Sequence, residues 1–574
     1  MENKKIAEIF QEIGDILEIK GENRFRVIAY HNASRTLMSY PRDLRKIVDE
    51  NPRDLEKIPG IGDNFRRHIM CLLTSGMCGE FEEIRASIPP GLLDMLRLRG
   101  VGPKKVKLFY SELGLHDIRG LEQAAKDGAI AELPRMGEKS QNEILAAIEE
   151  HAKFDLKRTM ISDALVVAEQ YIGYMERCKE VAKIEYAGSL RRRKETVGDL
   201  DLLVVDNGKK GAVAKVMEHF VGYDEVYKVL AQGKTKSAVI LESGLQVDLR
   251  VVAADSFGAA MHYFTGSKAH NIRVRDRAKR KGLKVNEYGV FKVSTGELIT
   301  SRNEKDVFKA VGMPFIIPEI RKGGDEMDLK KMPRLIELED LKGDLHLHST
   351  WSDGKSKIEE IAKTYKAAGF KYFAMTDHSS FASIANGLSI KRLESQWKEI
   401  DKVNKKIRGI KILKGSEVDI MKDGRLDFPD EVLKELDMVV ISAHMYPRLP
   451  KDAQTKRIIA AIENPYSKIL GHPSGRLINK RGPMDLDMPK IIDACKANKV
   501  AIEINSNPLR LDLTDVYVRM AKDKGVKIVI NSDGHHADKY ELLKYGVFVG
   551  RRGWLTKADV LNTRDVDHLL KFWE

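Results

Sequence analysis

The sequence predicts a multidomain chain of mixed α+β and α/β class: a helical N-terminal region, a mixed β-sheet in the middle, and a parallel, barrel-like β/α unit at the end. Three observations predict it. Residues 1–155 read as helices broken by short Gly turns, with no alternating strand pattern. From about 183 the chain changes to short β-branched runs, "LDLLVV", "SAVIL" and "LQVDLRVV". After 343 apolar runs such as "YFAMTDHS" and "KIVINSDGH" alternate with helical stretches, which argues βα units. At 574 residues the chain is too long for one core, and three or four domains are expected.

Composition narrows the class. Apolar content is 43% and charged content 32%, as in soluble globular proteins. No run of 18 apolar residues occurs, so no membrane span or membrane partner is expected. The opening "MENKKIAEIFQEIGDIL" has helical apolar spacing with interleaved charges, and is no signal peptide. The four cysteines form no C-x-x-C, so a reducing cytoplasm is the expected location. A net charge of +13 favours a polyanionic partner.

In the helical region one pattern recurs: "IPGIGDNFRRHI", "LRGVGPKKVKLF" and, more weakly, "LPRMGEKSQNEI". Each is a hydrophobic residue, a tight Gly turn and an amphipathic helix. Backbone N–H groups at a helix start favour phosphate, and glycines let a nucleic-acid backbone approach. A lone G-x-G is usually an ordinary interhelical turn. Repetition in a basic chain, with Lys104 and Lys105 beside the second turn, favours DNA-gripping helix-hairpin-helix motifs through Gly60, Gly62, Gly100 and Gly102.

The middle region carries "YAGSLRRRKETVGDLDLLVV". Asp199 and Asp201, two apart on a strand, face one side. Asp248 sits on another short strand that pairs beside them if the sheet closes that way. Three converging aspartates hold Mg²⁺ or Mn²⁺, and two such ions activate a 3′-hydroxyl and stabilise leaving pyrophosphate. Gly188 and Ser189 offer donors to a triphosphate, and Arg192 neutralises it. D-x-D alone would be a solvated strand end. The G-S, the basic run and the third aspartate make the site.

The last region opens on "GDLHLHSTWSDG". His346 and His348 share a strand face. Later strand ends supply His378, Glu417, His444, His472, Asp533 and His535, and with Asp353 these make nine candidate ligands. Imidazole suits Zn²⁺, Mn²⁺ or Fe²⁺, and a bridging carboxylate joins two ions, so two or three metals are expected. Such a cluster activates water and binds phosphate oxygens. Glu503, Asn505 and Asp377 are read as supporting residues, and His536 and His568 as surface histidines.

"GSLRRRKETVGDLDLL" resembles the nucleotidyltransferase signature, and "YFTGSKAHNIRVR" with "VNEYGVF" resembles the family X DNA polymerases, the group that includes DNA polymerase beta. The pattern D-x-H-x-H…S-D-G…D-H…E…H…G-H-P…D-x-H resembles the PHP (polymerase and histidinol phosphatase) domain across 343–574. The resemblance implies a nucleotidyltransferase palm with a mixed β-sheet and a PHP-type distorted β/α barrel. It implies that Asp199, Asp201 and Asp248 hold the polymerase metals. Gly188, Ser189 and Arg192 would bind the triphosphate, Tyr263 and Phe264 would sit by the sugar, Asn271 would meet the base, and Gly266 would belong to the same nucleotide site. Lys236 and Arg275 would contact DNA. The stretch 272–284 carries seven basic residues and one acid, which suits backbone contact beside a palm.

The expected boundaries are 1–85 and 86–158 for two helical domains, 159–257 for the palm, 258–317 for a nucleotide-selection subdomain, 318–342 for a charged linker, and 343–574 for the PHP domain. One departure from the family stands at His68, where lyase-competent relatives carry a lysine; imidazole forms no imine. The expected activity is short-gap repair synthesis from dNTPs on gapped or primer–template DNA, by a monomer. It is joined to a 3′→5′ exonuclease first, with abasic-site endonuclease or 3′-phosphatase as alternatives open to the same second site. Two alternatives stand beside it: a DNA-end-binding scaffold whose PHP portion is mainly structural, and a small-molecule phosphatase such as histidinol phosphatase.

Overall fold

The computed structural model describes residues 3–40, 44–153 and 158–574. The stretch 154–157, where the sequence predicts the helical region to end, lies outside them. Among the described residues no strand precedes Thr159. The N-terminal helices pack around Phe10, Tyr30, Phe65 and Phe81, whose rings meet at 4.9–6.1 Å between centroids. Three helices follow the Gly turns: α1 (Asp63–Ser75), α2 (Pro103–Leu113) and α3 (Glu138–Lys153). Pro103 opens α2 where a missing N–H costs nothing, and Gly114 closes it in the left-handed region.

The middle sheet has five strands: β1 (Val181–Tyr186), β2 (Asp199–Asp206), β3 (Val226–Gln232), β4 (Lys236–Leu241) and β5 (Gln246–Val251). Their spatial order is β1-β2-β5-β4-β3, mixed as expected, with only β2 and β5 parallel. A three-stranded antiparallel sheet over residues 283–300 follows.

The C-terminal region is a seven-stranded parallel sheet in sequential order: β6 (Gly343–Asp344), β7 (Tyr372–Met375), β8 (Lys411–Asp419), β9 (Met438–Ser442), β10 (Ile469–Leu470), β11 (Ala501–Asn505) and β12 (Ile528–Asn531). A parallel bridge between Leu347 and Gly534 joins the two ends, so the barrel is nearly closed. Its core is continuous with that of the middle sheet. One cluster of buried apolar side chains runs from Ile161 and Leu165 through Val239 to Ile441 and Ile530.

The charged segment 318–342 corrects one expectation. It is a packed strap and not a loose linker. Ile320, Arg321, Glu326 and Ile336 are buried, and its charges are paired over long distances: Glu319 with Arg551 at 2.7 Å, Arg321 with Glu304 at 2.6 Å, Glu326 with His270 at 3.0 Å.

Candidate functional sites

Asp199 and Asp201 open β2, and in the parallel register Asp201 stands directly beside Asp248 of β5. The short helix α4 (Gly188–Arg191) sits above them, pinned where the Ala187 amide donates to the Asp201 carbonyl at 2.8 Å. Gly188 has φ +57°, and a Cβ there would fall 2.0 Å from Asp201 Oδ2. Glycine is therefore required twice, by conformation and by the approach of the carboxylate. Gly188→Ala is expected to lower nucleotide incorporation about 100-fold or more, because displacing a reacting group by about 1 Å costs on that order. Single-nucleotide insertion into a gap measures it, and wild-type rates would refute it.

Burial, reinforced by Asp199 and Asp248, pushes the Asp201 carboxyl up to about 7, against the pull of Arg192 and Arg250. Asp248 Oδ1 and Ser189 Oγ are buried without a hydrogen-bond partner. An oxygen left unpaired among repelling carboxylates is what a divalent cation satisfies, so the residues fit the expected metals. A cleft of about 460 Å³ lies here, lined by Gly188, Ser189, Arg192, Asp199, Asp201, Tyr263, Phe264, Gly266, Asn271 and Arg275. Arg158 and Lys268 join them without having been foreseen. Asn271 Nδ2 donates to the Tyr263 carbonyl at 2.7 Å, and the Arg250 guanidinium lies 4.6 Å from the Phe264 ring centroid. Lys236 is exposed at the start of β4 and does not line the cleft.

In the barrel all nine candidate ligands converge. Glu417 is the hub: His346 Nε2 lies 3.3 Å from its carboxylate, His378 Nδ1 3.0 Å, His444 Nε2 3.3 Å and His472 Nε2 2.9 Å. Asp533 lies 3.3 Å from His348 Nε2, and Asp353 lies 3.2 Å from His535 Nε2. Three sets have ligand atoms close enough to share an ion: His348, Asp353, His378 and His535; His346, His348 and Asp533; His378, Glu417 and His444. His346 Nε2, both ring nitrogens of His348 and His378 Nδ1 are buried without hydrogen bonds, again as metal ligands would be. Burial together with the charges of His378 and His535 pushes His348 down to about 3, which keeps the ring neutral, with one nitrogen unprotonated. Glu503 accepts from His346 Nδ1 at 2.7 Å and from the His472 amide at 2.7 Å, and so orients both rings. Asp377 binds the Ser349 hydroxyl at 2.7 Å, holding the loop between His348 and Asp353.

Two residues of the barrel also escaped the sequence reading. Asp419 orients His444 through Nδ1 at 3.0 Å, and its position two after Glu417 on one strand was a usable signal. Arg510 lies 3.6 Å from Asp533, and nothing in its local sequence marks it.

The hairpin glycines behave as expected of turns that face outward. Gly60 and Gly100 have φ +83° and +73°, and a Cβ at Gly60, Gly62, Gly100 or Gly102 would meet nothing within 4 Å. Gly62 and Gly102 cap α1 and α2 without side-chain bonds, and at α2 the Lys105 amide turns back to the Gly102 carbonyl at 2.9 Å. Lys104 and Lys105 lie in the first turn of α2. His68 is buried against Phe81, 4.7 Å between centroids, and its Nε2 meets Glu80 at 2.8 Å; it is part of the domain core.

A carboxylate-bearing nucleotidyltransferase sheet and a histidine-lined PHP barrel on one helical, hairpin-bearing chain define the class. Family models match the helical region, the segment after the middle sheet and the barrel: "Helix-hairpin-helix domain" over 1–78, "SAM-like Helix-hairpin-helix tandem" over 92–150, "DNA polymerase beta thumb" over 260–322 and "PHP domain" over 344–507. The chain is 38% identical over its whole length, and the whole of the relative's, to a Bacillus subtilis protein named DNA polymerase/3′-5′ exonuclease PolX. It therefore belongs to the PolX family, the family X DNA polymerases with a C-terminal PHP domain. A probable phosphatase of Thermoanaerobacter is 33% identical over 38% of this chain and 89% of its own. DNA polymerase lambda of Arabidopsis thaliana is 25% identical over 56% of this chain and 62% of its own.

Proposed function

We propose that the chain fills short DNA gaps from dNTPs at the carboxylate site and trims 3′ ends, as a 3′→5′ exonuclease, at the barrel. The observation that carries this reading is the parallel register of Asp201 with Asp248 under a glycine that leaves room for the carboxylate. Asp199, Asp201 and Asp248 would hold Mg²⁺ or Mn²⁺, which supplies charge for the attacking 3′-oxygen and the leaving pyrophosphate. Ser189 and the amides of α4 would donate to the triphosphate, and Arg192 would balance its charge. Tyr263 and Phe264 wall the cleft where the sugar would lie, and Asn271, whose Oδ1 has no partner, would meet the base. Arg275, at the edge of the cleft, would take the template backbone.

The nine barrel residues would hold two or three Zn²⁺, Mn²⁺ or Fe²⁺ ions, which supply an activated water and phosphate neutralisation. Arg510, beside Asp533, would hold the phosphate from the protein side. The hairpin turns at Gly60 and Gly100 would grip flanking phosphates without reading sequence. All four cysteines are free, which suits a reducing cytoplasm, and a monomer suffices because both sites are complete within one chain. The scaffold reading leaves the converged ligands without purpose, and the small-molecule reading leaves the cleft and hairpins without purpose.

A labelled gapped primer–template with Mg²⁺ or Mn²⁺, with and without dNTPs, tests the reading. Extension with dNTPs and shortening without them are expected. Absence of extension would sink the polymerase half, and absence of shortening the exonuclease half.

A further inference from the structure

The turn between α4 and β2, Arg192–Glu195, belongs to the polymerase cleft yet is held by the C-terminal domain. The Arg192 carbonyl accepts from Arg552 Nη1 at 3.1 Å. Arg552 Nη2 is itself fixed by Asp515 at 2.6 Å, and Lys322 of the strap binds the same carboxylate at 2.7 Å. Arg193 has φ +53°, a left-handed conformation that a non-glycine residue keeps only when its surroundings impose it. Its guanidinium lies 4.5 Å from the ring centroid of Phe548, on α5 (Leu543–Arg552). Lys194 is exposed but lies near Arg552 and Asp515, and the Arg552 charge, with desolvation, lowers its ammonium to about 8. Glu195 forms a two-pronged pair with Arg476, at 2.8 and 3.0 Å. Arg476 stands on the loop that carries His472, where Asp512 accepts from the amides of Ser474 and Gly475 at 2.9 Å each.

Arg192, Arg193 and Glu195 of the turn are thus engaged across the domain boundary, and the first of them lines the cleft. The Arg192 side chain also donates to the Thr265 carbonyl, so its guanidinium is oriented from one side and its backbone from the other. A charged side chain placed in this way binds a triphosphate without first being ordered.

We propose that Arg552 and Arg476 are positioning residues for nucleotide binding: they lock the 192–195 turn so that Arg192 stays at the cleft where the triphosphate would lie. The inference rests on the polymerase reading of that cleft and deepens it, assigning the PHP domain a part in synthesis that is separate from its own chemistry.

Arg552→Gln tests it in the full-length chain. The KM for the incoming dNTP on gapped DNA is expected to rise about tenfold, with kcat within about threefold of wild type, because the interaction is made with bound nucleotide and not only in the transition state. Shortening of an unpaired oligonucleotide by the barrel should stay within about twofold of wild type, which shows that the variant is folded. Arg476→Glu and Glu195→Arg should each raise KM, and the double swap should return it toward the wild-type value, a rescue that a general loss of packing would not give. Binding of fluorescent dTTP with Mg²⁺, read by anisotropy, separates the two failures. A wild-type chain that binds dTTP without incorporating it would sink the polymerase reading alone. Wild-type affinity and KM in folded Arg552→Gln, or no rescue in the double swap, would overturn the clamp.

Discussion

Replacing Asp201 with alanine is expected to lower gap-filling synthesis by about three orders of magnitude or more, while 3′→5′ shortening stays within about twofold of wild type. The size follows from its position. Asp201 is half-buried, beside Asp248 in register and under α4, and burial, reinforced by repulsion from Asp199 and Asp248, raises its carboxyl. Removing it would take away one of the three carboxylates proposed to hold the ions. Selectivity follows because all nine candidate barrel ligands are supplied by residues 346–535, whereas Asp201 stands in the middle sheet, its carbonyl bonded to the Ala187 amide. Primer extension and primer shortening, scored separately on one gapped substrate, give the measurement. Loss of both activities in folded protein would mean that the two sites do not work independently.

His348→Ala is expected to do the reverse. Exonuclease activity should fall by about 10³-fold, with synthesis little changed. His348 is fully buried and appears in two of the three ligand sets, with Asp353, His378 and His535 and again with His346 and Asp533. Its loss therefore weakens two ion positions at once, and elemental analysis should find at least one fewer transition metal ion per chain. His536→Ala is the control, since that ring is half exposed and faces Asp538 on the surface. Full metal content with full exonuclease activity in His348→Ala would contradict the proposed centre.

What could be read in advance depended on how far apart the cooperating residues are in sequence. His346 and His348, or Asp199 and Asp201, announce themselves because a strand puts alternate residues on one face. Glu417 and Asp533 were legible because barrel ligands gather at strand ends, where polar residues interrupt apolar runs. The strap at 318–342 misled because composition counts charges without seeing their partners. Arg321, Glu319 and Glu326 read as part of a charged linker, yet they pair with Glu304, Arg551 and His270. Arg510 and the Glu195–Arg476 pair were invisible for the same reason: nothing within a local window marks a residue whose partner lies far along the chain.

The strap also bears on how the chain can be divided. Its Ile336 amide donates to the Leu555 carbonyl at 2.8 Å, and Arg551 reaches back to the Ile336 carbonyl at 3.1 Å. A gene cut within 318–342 would give two fragments that each expose apolar surface meant for the other. Such fragments would need to be produced together, and limited digestion of the intact chain should spare this segment despite its charged, glycine-marked composition. The segment that looks most like a seam in the sequence is, in the folded molecule, a poor place to cut.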